Sequence, residues 1–189
     1  MSSLAQSNSY IPENDYLEGE KSSQTRHEYV DGQVYVMAGS SKRHNRIAGN
    51  IYRKLAEADP NCEAYLSDIK VRISERKTYY YPDVVVSCEQ DDGNDYYLEN
   101  PCLIVEVLSD STAQKDRTEK LLSYMNISSL RAYLLVSQDK AHIEMFYREP
   151  GGKWWVNAFE NVEQNIELPC PDIVLTLSDI YSGVSEGFS

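Results

Sequence analysis

With 189 residues and a hydrophobic share of 41%, the chain fits one domain with enough apolar mass for a core; seven Pro and nine Gly are too few for a low-complexity or collagen-like polymer. A net charge of −12 opposes the basic footprint of stable nucleic-acid binders, so any action on a phosphate backbone needs local positive charge or a divalent cation. Uncharged apolar runs such as Cys102–Val105 are too short to span a bilayer, and Met1–Asn8 has neither a basic nor an apolar leader segment. A cytoplasmic protein is expected.

Residues 1–24 are polar and read as a weakly ordered N-terminal arm, in which Asn14–Glu18 could form one docked helical turn. Residues 25–189 read as a single α+β domain. Arg26–Ala38 predicts a hairpin turning at Asp31-Gly32. Ser40 or Ser41 can cap a helix running to about Asp59, with Ile47, Ile51, Leu55 and Ala58 at helical spacing. Extended segments follow at Glu63–Leu66, Ile69–Ser74 and Tyr79–Ser87. The first valines of the VVV run suggest a strand covered on both faces, whereas Val71 and Ile73 alternate as in a half-buried one.

Glu89–Asn100 reads as an acidic loop, and its Asp91–Asp95 stretch lacks calcium-loop spacing. Cys102–Leu108 predicts a central strand, and Thr112–Met125 a helix with a Ser111–Gln114 capping box, anchored by Leu121 and Leu122. Further strands are expected at Arg131–Ser137, His142–Tyr147, Lys153–Phe159 and Ile173–Leu175. Cys62, Cys88, Cys102 and Cys170 are far apart in sequence, with no CxxC pair, and read as reduced, partly buried thiols without zinc spacing.

Three charged residues stand where apolar ones belong. Asp83 opens the VVV strand, Glu106 interrupts Leu103-Ile-Val-Glu-Val-Leu108, and Lys120 precedes Leu121-Leu122. A carboxylate inside a buried strand costs several kcal/mol, on the order of magnitude usual for unpaired charges, unless it is paired or binds a cation. Two such carboxylates side by side suit metal-assisted hydrolysis, with Mg²⁺ taking hard oxygen ligands and a lysine orienting water. An Asp–Lys–Glu ion-pair network of purely structural role is the alternative.

Residues 26–136 resemble the Uma-type restriction endonuclease family of the PD-(D/E)xK nuclease superfamily. The resemblance rests on Arg26–Gly39, His44-Asn45, Ser67-Asp68, Tyr81–Val86, Pro101–Ser109, and Ser111-Thr112 with Asp116-Arg117 and Lys120. It implies a mixed central sheet flanked by helices, with Asp83 and Glu106 as the acidic pair and Mg²⁺ or Mn²⁺ as cofactor. DNA would be the substrate and a homodimer the form suited to double-strand cleavage. Leu108 stands where the simple ExK motif has lysine, and Lys120, moved onto the following helix, is the matching residue. The main-chain carbonyl of Val107 is implied as a further metal donor.

Secondary candidates keep two readings each. Glu28 is an outer acidic ligand or an exposed strand carboxylate, and His44 a phosphate or water contact or a packing residue. Asp68 shapes the metal site or forms a turn. Asp116, four residues before Lys120, could orient its ammonium, and Arg117 meets phosphate or solvent. Three functions compete: a metal-dependent DNA endonuclease, a non-catalytic nuclease-fold interaction or DNA-binding module, and a hydrolase of smaller phosphate esters.

Overall fold

The hairpin forms where Asp-Gly dictates. In a computed structural model describing residues 9–89 and 94–184, β1 (His27–Val30) pairs antiparallel with β2 (Gln33–Val36), Val30 opposite Gln33. Asp31 and Gly32 both take positive φ, 42° and 89°, the turn that matches strand twist. Glycine is required there for a second reason: a Cβ on Gly32 would sit 2.1 Å from the Tyr10 ring. The Ile11 amide then donates to the Gly32 carbonyl at 2.9 Å, so the N-terminal segment rides on the turn.

The expected arm is only partly an arm. Residues 1–8 lie outside the described residues, but α1 (Glu13–Ser22) is a ten-residue helix rather than a weakly ordered stretch. Its Tyr16 is buried and stacks on Tyr29 with ring centroids 4.8 Å apart, and its hydroxyl donates to the His27 carbonyl. Aromatic burial of this kind offsets the poor helix periodicity of the segment.

Ser41 caps α2 (Lys42–Ala56) by accepting the His44 amide at 3.0 Å. The remaining strands are β3 (Glu63–Leu66), β4 (Lys70–Ile73), β5 (Thr78–Tyr80), β6 (Val84–Ser87), β7 (Tyr97–Leu98) and β8 (Leu103–Leu108). They continue with β9 (Ala132–Ser137), β10 (Ile143–Arg148), β11 (Trp154–Phe159), β12 (Asn165–Pro169) and β13 (Asp172–Thr176), before a last helix at Leu177–Ile180. Sheet one runs β2-β1-β5-β4-β7, sheet two β11-β10-β9-β8-β6-β3, and β12-β13 is a separate hairpin. The fold is α+β, with mixed sheets and few helices.

Tyr79–Ser87 is not one extended segment. Pro82 breaks it, and its halves enter different sheets, β5 in the first and β6 in the second. β4 is not half-buried either, since Lys70 is buried with Val71 and Ile73. Of the expected acidic loop, residues 90–93 lie outside the described residues, and the following residues supply β7. β12 and the last helix carried no sequence signal strong enough to predict them.

β8 pairs antiparallel with β6 and parallel with β9. The parallel pairing requires a crossover, supplied by a helical segment, α3, running Ala113–Lys115, through a π-helical turn at Asp116–Lys120, to Leu121–Tyr124. No capping box forms at its start: Thr112 caps without a side-chain bond, and its hydroxyl meets the Ser109 hydroxyl instead. Nor does Leu122 anchor the segment, being 58% exposed; Leu121 and Tyr124 face the core.

Sheet two separates two cores. Leu103, Val105 and Val107 meet Ile47, Ile51 and Leu55 of α2 on one face, while Ile104 and Leu108 meet Val71, Tyr80 and Tyr124 on the other. Each fully buried aliphatic contributes about 1.5–3 kcal/mol, so the alternation along β8 is strongly fixed. Glu106 therefore faces α3, with Ile104 and Leu108. The cysteines are not reduced thiols here: Cys62 pairs with Cys88 and Cys102 with Cys170. Linear spacing hid this, because the strand ends that carry three of them become neighbours only in the sheet. Among the described residues, no helix is long and apolar enough to cross a membrane.

Candidate active site

The π-helical turn turns Asp116 and Lys120 toward β8. Lys120 Nζ lies 2.9 Å from Glu106 Oε1, 2.9 Å from Glu28 Oε1 and 3.3 Å from Asp116 Oδ1. Tyr124, a further turn along, donates to the same Glu106 oxygen at 3.2 Å. π turns place an extra residue per turn, so i and i+4 side chains converge more closely than in regular helix. Glu28 reaches in from β1 and also accepts Lys115 Nζ at 2.6 Å. The Tyr80 ring lies within 5.5 Å of both ammoniums.

Asp83 occupies the other side. Its Oδ2 accepts the Val107 amide at 2.7 Å and lies 3.1 Å from His44 Nε2, at the capped end of α2. These groups line one cleft of about 550 Å³, open along Ser109–Thr112 and the Met37–Ser41 segment. Asp68 is elsewhere: it pairs with Arg26 at 3.3 Å beside a second cleft that meets the first at Tyr81. Arg117 also points away, to Glu144 at 3.1 Å.

Electrostatics follow from burial and crowding. Burial pushes the Glu106 carboxyl well above its ordinary value; Lys120 opposes this, but Asp116 and Asp83 reinforce it. Burial likewise raises Asp116 against the pull of Lys120. Lys120 stays an ammonium, because Glu106 and Glu28 outweigh its own desolvation. Glu28 is held below the usual carboxylate range by Lys120 and Lys115, despite burial. His44 is raised: burial lowers it, but the hydrogen bond and charge of Asp83 prevail, with help from the Val107 carbonyl.

Four carboxylates thus face two ammoniums and one imidazole. Asp116 Oδ1 is buried without a hydrogen bond, its contact with Lys120 lacking suitable geometry, and His44 Nδ1 is equally unpartnered. Among the described residues, Asp83 Oδ1 and Glu106 Oε2 accept no hydrogen bond. Excess negative charge and spare hard oxygens suit a divalent cation of the Mg²⁺ class, which takes one or two carboxylates and keeps waters.

Residues 13–178 match the sequence profile of the Uma2 family, described as "Putative restriction endonuclease". The chain belongs to the Uma2 family. Two uncharacterised proteins of Synechocystis are similar along nearly their whole lengths. One is 33% identical over 90% of this chain and 91% of its own. The other is 35% identical over 82% and 89%. A crystal structure from Anabaena variabilis, of "a putative nuclease belonging to DUF820", superposes with a TM-score of 0.74 at 14% identity, covering 93% of this chain and 99% of that one. The two chains thereby share a fold.

Sequence reasoning missed Lys115 and Tyr80. Lys115 looks like a solvated helix charge between Gln114 and Asp116, and Tyr80 like packing alone; only the approach of β5 to α3 gives them a role.

Proposed function

We propose that this Uma2 protein is a divalent-metal-dependent DNA endonuclease that hydrolyses phosphodiester bonds. The observation that carries the reading is the Lys120 ammonium, 2.9 Å from Glu106 in the cleft that also holds Asp83. The descriptions of the family and of the Anabaena protein agree with it. Asp83, Glu106 and the Val107 carbonyl would hold Mg²⁺ or Mn²⁺, which supplies Lewis-acid stabilisation of phosphoryl oxygens and acidifies bound water.

Lys120, kept protonated, does not serve as a base; it donates hydrogen bonds to water or to a phosphate oxygen and offsets developing charge. Glu28 and Asp116 fix its position. Glu106, as a holder of the cation and the partner of Lys120, would leave the proton of the attacking water to pass to solvent. As water adds to phosphorus, the P–O bond to the leaving deoxyribose oxygen breaks, and that oxygen takes a proton from solvent. Double-strand cleavage would call for two copies acting together.

Supercoiled plasmid incubated with Mg²⁺ or Mn²⁺ tests this. Wild type should nick or linearise it, and Asp83→Asn, Glu106→Gln and Lys120→Ala should each slow the reaction by at least about 10²-fold. Lys120→Arg should not restore it, since the guanidinium is bulkier and differently hydrated. A second reading, a non-catalytic nuclease-fold module, is favoured by the saturation of Lys120 with three carboxylates and by the net charge of −12. It predicts no cleavage with either metal, and DNA affinity unchanged when Mg²⁺ is added across a salt titration.

A further inference from the structure

All four cysteines of the chain meet at one place, away from the acidic cleft. Cys62 precedes β3, Cys88 follows β6 and Cys102 precedes β8, three neighbouring strands of sheet two. Cys170 lies in the turn between β12 and β13, which folds over their ends. The two disulfides touch: Cys88 Sγ is 3.5 Å from Cys102 Sγ and 3.3 Å from Cys170 Sγ. The sulfurs of Cys88, Cys102 and Cys170 all fall within 4.8 Å of one another. Cys102 is buried, and the other three are half-buried.

We propose that this cluster, with its disulfides reduced, is a tetrathiolate site for a single zinc ion. A tetrahedral centre with Zn–S bonds of about 2.3 Å has sulfur–sulfur edges of about 3.8 Å. Cys88 Sγ is already within about half an ångström of that edge from both Cys102 and Cys170, whereas Cys62 lies outside the three-sulfur group and would have to turn in from its bond to Cys88. With the disulfides reduced, each Sγ is free to turn about its Cα–Cβ bond toward that edge. Four soft thiolates exclude Mg²⁺ and select zinc, so this centre and the acidic cleft take different metals.

The chemistry balances. Two equivalents of a dithiol break both S–S bonds, supplying four electrons and four protons and leaving four thiols. Binding then forms four Zn–S bonds and releases those four protons to solvent. One ion would replace two covalent links, the Cys62–Cys88 bond within sheet two and the Cys102–Cys170 bond that ties sheet two to the C-terminal hairpin.

The test uses the full chain, reduced with dithiothreitol, desalted without oxygen and titrated with Zn²⁺ or Co²⁺. Expected are uptake of one metal ion, the near-ultraviolet sulfur-to-cobalt charge transfer and intense visible bands of tetrahedral Co²⁺, and protection of all four cysteines from iodoacetamide by mass spectrometry. Cys88→Ser/Cys170→Ser should lose the charge-transfer bands, and Asp83→Asn/Glu106→Gln should keep them. Reduced protein that takes up no ion, Co²⁺ spectra of oxygen or nitrogen ligation, or retention of the bands without Cys88 and Cys170 would overturn the proposal. So would unfolding on reduction that added Zn²⁺ does not reverse.

Discussion

Because β6 and β8 run antiparallel, Asp83 and Glu106 gather at one end of the pair, and Cys88 and Cys102 at the other. Glu106 and Cys102 are four residues apart on one strand, roughly 13 Å. The ionic end holds together through charges that each need the others. Burying them costs desolvation, and an apolar replacement of the whole set would often be as stable. The thiol end holds through bonds that need no partner charge and constrain the unfolded chain. Chemistry in the fold is therefore concentrated where stability is conditional, and the opposite end of the same two strands supplies restraint.

Lys120→Ala is the single substitution that strikes the ionic end hardest. It strands Glu28, Glu106 and Asp116 without their shared cation, and a loss of about 3–5 kcal/mol is expected in urea unfolding at neutral pH. The loss should shrink as pH falls and the raised carboxyls of Glu106 and Asp116 protonate. Reduction without added metal attacks the thiol end. The bridged residues are 26 and 68 apart in sequence, for which loop-closure entropy gives upper values of about 3.5 and about 4.4 kcal/mol. Thermal melts with and without dithiothreitol measure it.

Glu28→Gln probes the ionic end more gently, with about 2 kcal/mol expected for a buried, charge-assisted pair. Its folded carboxyl is held below the unfolded value, so its contribution is complete above the ordinary carboxylate pKa and lost as pH falls through the folded one. Wild type and variant should begin to converge in acid unfolding curves as pH drops below the ordinary glutamate value of about 4.3, and meet below the folded one. Smallest is Ser41→Ala, which removes the α2 cap that carries His44, at about 1 kcal/mol.

The same contrast explains what could be read in advance. Asp31-Gly32, Ser41 and the interrupted run around Glu106 are local signals, and each produced the turn, cap or buried strand it implied. Glu106 stood out because a charge inside an apolar strand demands a partner; that partner lay beyond the strand, and Lys120, marked by its place beside Leu121-Leu122, was assigned to the site through resemblance. The cysteine end left no local trace, since adjacency of β3, β6 and β8 is a property of the sheet. Lys70 misled because its burial is set by α1 and Tyr81, far from its own strand's alternation. The helix at Glu13–Ser22 was legible only as a docked turn at Asn14–Glu18; polar composition hid its full length, its stability residing in Tyr16 against Tyr29.

The three-residue passage Tyr81–Pro82–Asp83, where the chain leaves sheet one for sheet two, has a mechanical consequence. Its backbone has little slack: Pro82 fixes φ, and the Asp83 carbonyl accepts the Ser67 amide at 3.0 Å while its carboxylate accepts Val107 at 2.7 Å. A tilt of one sheet against the other cannot be absorbed in a loop and must be felt at that carboxylate. Asp83 thus works as a strain gauge between the two sheets, and amide hydrogen exchange at Val107 would read it.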